Sequence, residues 1–364
     1  MSKKVVFLLG AGASVADVMA RSQRARPPLD ARFFSVASGV NSKDKRLATV
    51  RRYYDQTYGI DICTGEYDSM ERIMAGLYPD LFNSSLEQQA LDAFRALLQL
   101  FTERLADTTN NLHANHKRLL YRIIVFFLTH GIDPADITIV TFNQDVQVEK
   151  TLERLSETKR WEKVADRLFS FPGLYAIPEA TWDAITSPSG GDDDDCFKHT
   201  VGNADCLQVL KLHGSLNWYS THNSKTPTRS AMLNQKRKLS VTQRRTIAPD
   251  MKLTSKKTKY TLPVVVPPVT HKSSVLPAVL GPVWELAEKR LIEADEVVVF
   301  GYSCPALDFE SANLLRRAGE KAHSPTFTVI DPAAEVATRY ISLLGLKQLN
   351  YYRDGYEYIR GIDE

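Results

Sequence analysis

The stretch that decides the fold is VVFLLGAGAS, which occupies residues 5–14. Its first five residues are apolar without polar alternation, which is typical of a strand buried on both faces, as in a parallel sheet. The glycines that follow permit a tight turn at the end of that strand. The pattern therefore predicts a buried first strand, then a glycine turn that leads into a helix or loop over residues 15–26.

Further along the chain, four more apolar runs predict buried strands at residues 137–142, 208–212, 297–300 and 326–330. Helical patterns separate several of them, at residues 146–155, 283–293 and 309–322, and a helical block covers residues 67–130. Alternating buried strands and helices indicate an α/β fold with a doubly wound, Rossmann-like parallel sheet. We predict one domain over residues 1–364, with a helical insertion at about 60–132 and a charged loop region at about 187–260.

The composition is that of an ordinary globular protein, with 43% hydrophobic and 24% charged residues. No apolar run reaches the roughly 18–20 residues that cross a bilayer, so we expect a cytoplasmic protein without membrane contact. The four cysteines (Cys63, Cys196, Cys206 and Cys304) include no closely spaced pair. They therefore predict neither a zinc site nor a disulfide framework, and no metal is expected.

The net charge is only +3, but the charge is unevenly distributed. Residues 225–259 contain eleven lysines and arginines against one acid, Asp250. Such a stretch is most often a solvated loop, and the alternative is a contact for nucleic acid or an acidic partner.

Small or polar residues follow all five predicted strands. In an open parallel sheet, ligands bind beyond the carboxyl ends of the strands, so these residues should gather along one edge. They are residues 10–14, Asn143 to Asp145, His213 to Ser215, Gly301 to Ser303, and Asp331 with Pro332. Five such strand ends together predict a binding site.

Three of these residues have side chains suited to chemistry. Asn143 and Asp145 either cap the following helix or hydrogen-bond a ribose or a water molecule, and both interpretations remain open. His213, at a strand end beside a glycine, is expected to be exposed and to act as a general base or a ribose-hydroxyl partner. The glycine turn at residues 10–14 can hold a pyrophosphate, although Val15 occupies the third glycine position of the dinucleotide-binding pattern.

Five motifs occur in a characteristic order: GAGAS (10–14), TFNQD (141–145), KLHGSLNW (211–218), PPVTHK (267–272) and FGYSCPALD (300–308). Together they resemble the sirtuin-like (silent information regulator) superfamily, from residue 5 to about residue 332. More closely, they resemble its bacterial branch, whose members hydrolyse NAD in defence against bacteriophage.

The resemblance implies that NAD is the substrate and assigns roles to twelve residues. The pyrophosphate would be held by Gly10, Ala11, Gly12, Ala13 and Ser14. Asn143 and Asp145 would face the nicotinamide ribose, and His213 would be the catalytic base. The adenosine half would lie by Gly301, Tyr302, Ser303 and Asp331.

Two departures from the protein-deacylating sirtuins favour water as the acceptor. The four-cysteine zinc module is missing, and residues 15–34 contain no GIPDFR-type segment. We therefore expect an NAD glycohydrolase that depletes NAD in antiviral, abortive-infection defence. The alternatives are a sirtuin-type deacylase or ADP-ribosyltransferase, and a non-catalytic nucleotide-sensing or DNA-binding module. The resemblance also implies a homo-oligomer with a HerA-type hexameric ATPase as partner.

Overall fold

The computed structural model describes residues 3–19, 33, 43–63, 69–110, 118–171, 173–177, 182–186, 205–222, 239–242, 260–266, 280–305, 308–320 and 325–363. The PPVTHK motif, Cys196 and most of the basic stretch at 225–259 lie outside these ranges. The contact with nucleic acid or with an acidic partner that was predicted for the basic stretch therefore stays a prediction.

The main sheet has six parallel strands in the order β10-β9-β8-β1-β2-β4. These strands are β1 (Val5–Leu9), β2 (Ile137–Thr141), β4 (Gln208–Lys211), β8 (Glu296–Phe300), β9 (Thr326–Ile330) and β10 (Asn350–Tyr352). All five residues of β1 are buried at the centre of the sheet. The chain passes from β1 to β2 and β4 on one side, and to β8, β9 and β10 on the other, so the topological switch point lies between β1 and β8. This arrangement confirms the predicted doubly wound α/β fold.

Eleven α-helices of four or more residues lie within the described ranges. They are α1 (Ala11–Met19), α2 (Lys45–Tyr58), α3 (Met70–Asp80), α4 (Glu87–Asn110), α5 (Leu119–Thr129), α6 (Gln147–Ser156), α7 (Ala165–Leu168), α8 (Gly281–Glu293), α9 (Phe309–Gly319), α10 (Ala334–Leu344) and α11 (Gly355–Asp363). Short 3-10 turns occupy Pro134–Asp136, Lys159–Val164 and Gly173–Tyr175. Helices α2 to α5 lie between β1 and β2, so the helical block begins at Lys45, before the predicted start. None of the described helices is both long enough and apolar enough to cross a membrane.

A second sheet of four strands was not anticipated from the sequence. Its order is β3-β6-β5-β7, with β3 (Trp182–Thr186), β5 (Gly214–His222), β6 (Leu239–Thr242) and β7 (Tyr260–Val265). Strand β6 lies inside the region that was predicted to be charged loop. The physical reason is that β6 has only four residues and that just two residues separate β5 from β4, so neither stands out as a separate apolar run.

The switch point is closed by direct backbone contact between the turn after β1 and the loop after β8. The Gly10 N–H donates to the Phe300 carbonyl at 3.1 Å, and the Gly12 N–H donates to the Gly301 carbonyl at 2.9 Å. Gly301 has a φ of +60°, and a Cβ there would lie 2.2 Å from the backbone nitrogen of Ala13. Only glycine satisfies both the conformation and the space at position 301.

Helix α1 begins at Ala11, earlier than the sequence suggested. Residues 12–14 of the glycine motif therefore form the first helical turn rather than a loop. This places the Ser14 side chain on α1, where it faces the end of β2.

We expect Gly301→Ala to lower the free energy of unfolding by more than about 3 kcal/mol, because it adds a backbone clash to an unfavourable φ. Gly345→Ala is the matched control. Gly345 has a φ of +63° at the end of α10, but a Cβ there would meet no atom within 4 Å. The control should lose about 1–2 kcal/mol. Urea unfolding followed by circular dichroism measures both, and equal losses would contradict the close packing at the switch point.

Candidate functional site

A cavity of about 420 Å³ lies at the carboxyl ends of the main-sheet strands. Ten of the twelve residues singled out from the sequence line it: Ala11, Gly12, Ser14, Asn143, Asp145, His213, Gly301, Tyr302, Ser303 and Asp331. The other two, Gly10 and Ala13, take part instead in the packing of α1 against the loop after β8. The five strand ends therefore do meet at one site, and its volume is in the range of small-molecule and cofactor pockets.

Three polar side chains form a connected hydrogen-bond set on one wall of the cavity. The Ser14 hydroxyl donates to Asp145 Oδ2 at 2.8 Å and accepts from Asn143 Nδ2 at 2.9 Å. These residues come from α1 and from the segment after β2, and more than 125 positions separate them in the chain. The parallel pairing of β1 with β2 brings the two segments together.

The orientation of the Asn143 amide follows from its partners. Its Nδ2 donates both to Ser14 Oγ and to the Gly10 carbonyl oxygen, the latter at 2.8 Å. Because a carbonyl oxygen can only accept, the nitrogen must point toward Gly10. Both amide hydrogens are thus used within the protein. The Oδ1 atom bonds no described residue, so Asn143 offers the cavity a hydrogen-bond acceptor.

Asp145 is 5% exposed, and both of its carboxylate oxygens are engaged. Oδ2 accepts from Ser14, and Oδ1 accepts from the Gln147 N–H at 3.0 Å, at the start of α6. The helix-capping interpretation of Asp145 therefore describes one of its two contacts. Through the other contact it orients Ser14, and through Ser14 it orients Asn143.

His213 lies at the junction between the two sheets. Strand β4 ends at Lys211 and β5 begins at Gly214, which has a φ of +73°. A Cβ at position 214 would lie 2.0 Å from the Val264 carbonyl oxygen, so this turn requires glycine. The Val266 N–H donates to the His213 carbonyl at 2.8 Å, which ties the turn to the end of β7.

The expectation that His213 is exposed was wrong, because the residue is only 8% exposed. Its ring centroid lies 5.2 Å from that of Phe142 and 6.3 Å from that of Trp284. Phe142, which follows β2, and Trp284 on α8 supply this cover. Their packing against His213 is a product of the fold and leaves no sign in the local sequence pattern. His213 still lines the cavity, so it is a histidine held at the cavity wall by aromatic packing.

Behind the polar wall lies a buried network that sequence reasoning missed. Lys211 is 0% exposed. Its Nζ lies 3.1 Å from Glu149 Oε1 and also donates to the Asp145 backbone carbonyl. The Tyr175 hydroxyl donates to the same Glu149 oxygen at 3.0 Å, and burial raises the pKa of Tyr175 well above its usual value. The sequence contained one signal for this network, because Lys211 ends a predicted buried strand. A buried charge needs a buried partner.

The far end of the cavity is formed by the loop after β8 and the end of β9. The Tyr302 ring stacks on Phe142 with centroids 4.0 Å apart, and its hydroxyl donates to Asp308 Oδ2 at 2.8 Å. Asp331 follows β9, and its Oδ1 accepts from the Ala333 N–H at 3.0 Å. Burial is the main cause of a raised pKa at Asp331.

The helical block supplies an apolar wall that the sequence analysis did not assign to the site. Met70 from α3, Phe101 and Leu105 from α4, and Phe33 line the cavity together with the polar residues. No lysine or arginine is among the described residues that line it. The only acidic side chains in the lining are Asp145 and Asp331, so the charged groups of the described wall are negative.

Where the chain is described, no group of three or more His, Cys, Asp or Glu side chains is arranged to hold a metal ion. Of the described cysteines, Cys63 is exposed, Cys206 and Cys304 are buried, and none of the three forms a disulfide with another.

We expect Lys211→Met to lower the free energy of unfolding by about 3–5 kcal/mol, because it leaves the Glu149 carboxylate buried without its cation. The double variant Lys211→Met with Glu149→Gln removes both charges and should recover most of that loss. Arg154→Met, which breaks the exposed pair of Arg154 with Glu157, is the control and should change stability by less than about 1 kcal/mol. Urea unfolding measures all three. A double variant no more stable than Lys211→Met alone would contradict the charge-pair explanation.

No protein-family model matches the chain, and no curated protein matches it either. Solved structures with a similar fold include a triply substituted Sir2 homologue in complex with 2′-O-acetyl ADP-ribose. It is 15% identical with a TM-score of 0.44, over 100% of this chain and 92% of that chain. A Sir2 homologue in complex with NAD is 13% identical with a TM-score of 0.41, over 100% and 90% of the two chains. A structure described as a basis for the mechanism and regulation of Sir2 enzymes is 12% identical, with a TM-score of 0.44 and coverage of 100% and 92%. The function proposed below rests on the residues of the cavity rather than on these similarities.

Proposed function

We propose that this protein is an NAD glycohydrolase, which cleaves the bond between nicotinamide and ribose and transfers the ribose to water. The observation that carries the proposal is that Asn143 and His213 line the same cavity. Asn143 presents a fixed acceptor oxygen, and the His213 imidazole is a side chain that can accept a proton. Together they offer what a water nucleophile needs, an acceptor to orient it and a base to receive its proton.

In the proposed reaction, the bond between C1′ of the ribose and the nicotinamide nitrogen breaks, and its electron pair leaves with nicotinamide. The ribose then carries an oxocarbenium-like positive charge. Water adds to C1′ while His213 accepts one of its protons, and the products are ADP-ribose, nicotinamide and one proton. Asn143 Oδ1 accepts a hydrogen bond from that water or from a ribose hydroxyl.

The charge of the cavity suits this reaction. Substrate and transition state both carry positive charge near the ribose, first on the nicotinamide ring and then on the ribose itself. The described lining includes the carboxylate of Asp145 and the carbonyl oxygen of Asn143, and it includes no cation that would oppose the developing charge. Oriented acceptor groups of this kind stabilise a transition state without having to reorganise.

The pyrophosphate is proposed to lie at the start of α1. The Gly12 and Ala13 N–H groups bond the Gly301 and Gly10 carbonyls, so they are committed to packing. The Ala11 N–H takes no part in that packing, and Ala11 is exposed at the helix N-terminus, where the helix dipole favours an anion. In this proposal, the glycines of the turn are needed for the backbone contact with Gly301. The phosphate is bound by the Ala11 N–H.

The apolar wall favours hydrolysis over transfer to a peptide. Met70, Phe101 and Leu105 come from the helical block and line the same cavity as Asn143 and His213. A flat nicotinamide ring fits between an apolar wall and a polar one, as is usual in ligand pockets. An extended peptide would need backbone hydrogen-bonding partners, which these three side chains do not offer.

The test is NAD consumption by the purified chain, with nicotinamide and ADP-ribose measured by chromatography. We expect His213→Ala and Asn143→Ala each to lower kcat by about a hundredfold or more. His130→Ala is the matched control. His130 packs on Phe126 with ring centroids 4.0 Å apart and does not line the cavity, so kcat should be unchanged.

The products separate this proposal from its alternatives. If nicotinamide release is accompanied by deacylation of an acyl-lysine peptide, or by attachment of ADP-ribose to protein, the activity is group transfer and not hydrolysis. Binding of NAD without turnover, together with a salt-sensitive DNA shift, would favour the sensing or DNA-binding module. If His213→Ala consumes NAD at the wild-type rate, His213 takes no part in the mechanism.

We further propose that the activity serves antiphage defence by depleting NAD. Such an activity would kill the host unless it were gated, so we propose a homo-oligomer controlled by a HerA-type ATPase. This part of the proposal rests on the resemblance of the sequence motifs. Its test is the same NAD assay with and without the purified ATPase, and no change in rate on mixing would contradict it.

A further inference from the structure

A buried arginine joins helix α1 to helix α6. Arg118 directly precedes α5 and is only 3% exposed. Its Nη2 atom lies 2.5 Å from Asp17 Oδ2 on α1, and it also donates to Gln147 Oε1 at 2.8 Å at the start of α6. Asp17 and Gln147 are themselves buried, at 5% and 2% exposure. The contact between the two helices is therefore shielded from water.

The Asp17 carboxylate is held by two groups from the start of α5. Oδ2 pairs with Arg118, and Oδ1 accepts from the Leu120 N–H at 3.1 Å. Burial raises the pKa of Asp17, and the charge of Arg118 is the largest effect that opposes this rise. A buried carboxylate without a cation would be costly, so the pairing with Arg118 fixes the position of this face of α1.

Asp17 and Gln147 are each close in the chain to a residue of the polar wall. Asp17 follows Ser14 by three positions on α1, and residues three apart lie on the same face of a helix. The Gln147 N–H donates to Asp145 Oδ1 at 3.0 Å. Ser14 donates to the other oxygen of Asp145 at 2.8 Å. Arg118 therefore closes a ring of contacts that includes the hydrogen bond between Ser14 and Asp145.

We propose that Arg118 is a positioning residue for the reaction, because it fixes the separation of α1 and α6 on which the orientation of Asn143 depends. This inference rests on the proposed function. Asn143 Nδ2 donates to Ser14 Oγ at 2.9 Å, so a shift of α1 relative to α6 would move the acceptor oxygen of Asn143. A displacement of about 1 Å can lower a rate by about a hundredfold. A guanidinium suits this role because its planar donors hold a carboxylate and an amide oxygen in a fixed geometry.

The experiment begins with Gln147→Met, which removes an acceptor of Arg118 but keeps the backbone N–H that bonds Asp145. We expect kcat for NAD hydrolysis to fall about tenfold or more while KM changes less than about threefold, because the reacting groups move and most substrate contacts remain. Gln147→Glu keeps an acceptor oxygen for Arg118 and should restore kcat to within about threefold of wild type. The Gln147 Nε2 atom bonds no described residue, so this variant breaks no hydrogen bond of the described chain.

Leu314→Ala distinguishes positioning from a general loss of stability. Leu314 is buried in α9 and is not among the residues that line the cavity. This variant leaves a hole in the core, so it should lower Tm at least as much as Gln147→Met and leave kcat unchanged. A kcat for Gln147→Met equal to that of wild type, or a Gln147→Glu variant no more active than Gln147→Met, would overturn the inference.

Hydrogen exchange keeps this inference separate from the proposed function, because it needs no turnover. Mass spectrometry should show that Gln147→Met speeds amide exchange at residues 11–19 and 143–150 relative to the rest of the chain, whereas Leu314→Ala does not. If the wild type consumes no NAD, the proposed hydrolase fails, while faster exchange at these two segments would still support the joining of α1 and α6 by Arg118. Unchanged exchange at both segments in Gln147→Met would overturn it.

Discussion

The rest of the structure depends on the backbone contact between Gly12 and Gly301 at the switch point of the main sheet. This contact holds the turn after β1 directly against the loop after β8, at a distance that no side chain would allow. It sets the start of α1 and therefore the position of Ser14. From Ser14, hydrogen bonds reach Asn143 and Asp145, so the orientation of the Asn143 amide depends on two glycines nearly 300 residues apart. Glycines of this kind are often explained by contact with phosphate, and here protein packing requires them.

A second constraint acts on the other side of the polar wall. The pair formed by Lys211 and Glu149 joins the end of β4 to α6, and through the Asp145 carbonyl it also holds the segment that carries Asn143. Buried ion pairs seldom add stability compared with apolar side chains of similar volume, because both charges lose their hydration. The pair is therefore better understood as a device that specifies one arrangement of the two strand ends. His213 lies two residues beyond Lys211, so this arrangement also determines the position of His213.

The cavity combines walls of different chemical character. The described lining includes oxygen acceptors and a histidine, a set of apolar side chains from the helical block, and the acidic residues Asp145 and Asp331 as its only charged groups. The positively charged nicotinamide ring of NAD, the proposed substrate, would match the acidic groups of this lining.

The sequence by itself determined five of the six strands of the main sheet (all except β10), the glycine turn, and the gathering of the strand ends at one edge. Those features follow from local apolar runs and from the geometry that all parallel sheets share. Only the tertiary structure decided that His213 is buried, that Asn143 directs its oxygen into the cavity, that Lys211 pairs with Glu149, and that the helical block supplies a wall. The second sheet, whose strands leave no distinct apolar pattern, also became visible only there. The physical reason is that local periodicity reports whether a residue is buried, whereas hydrogen-bond and charge partners come from segments brought together by the fold.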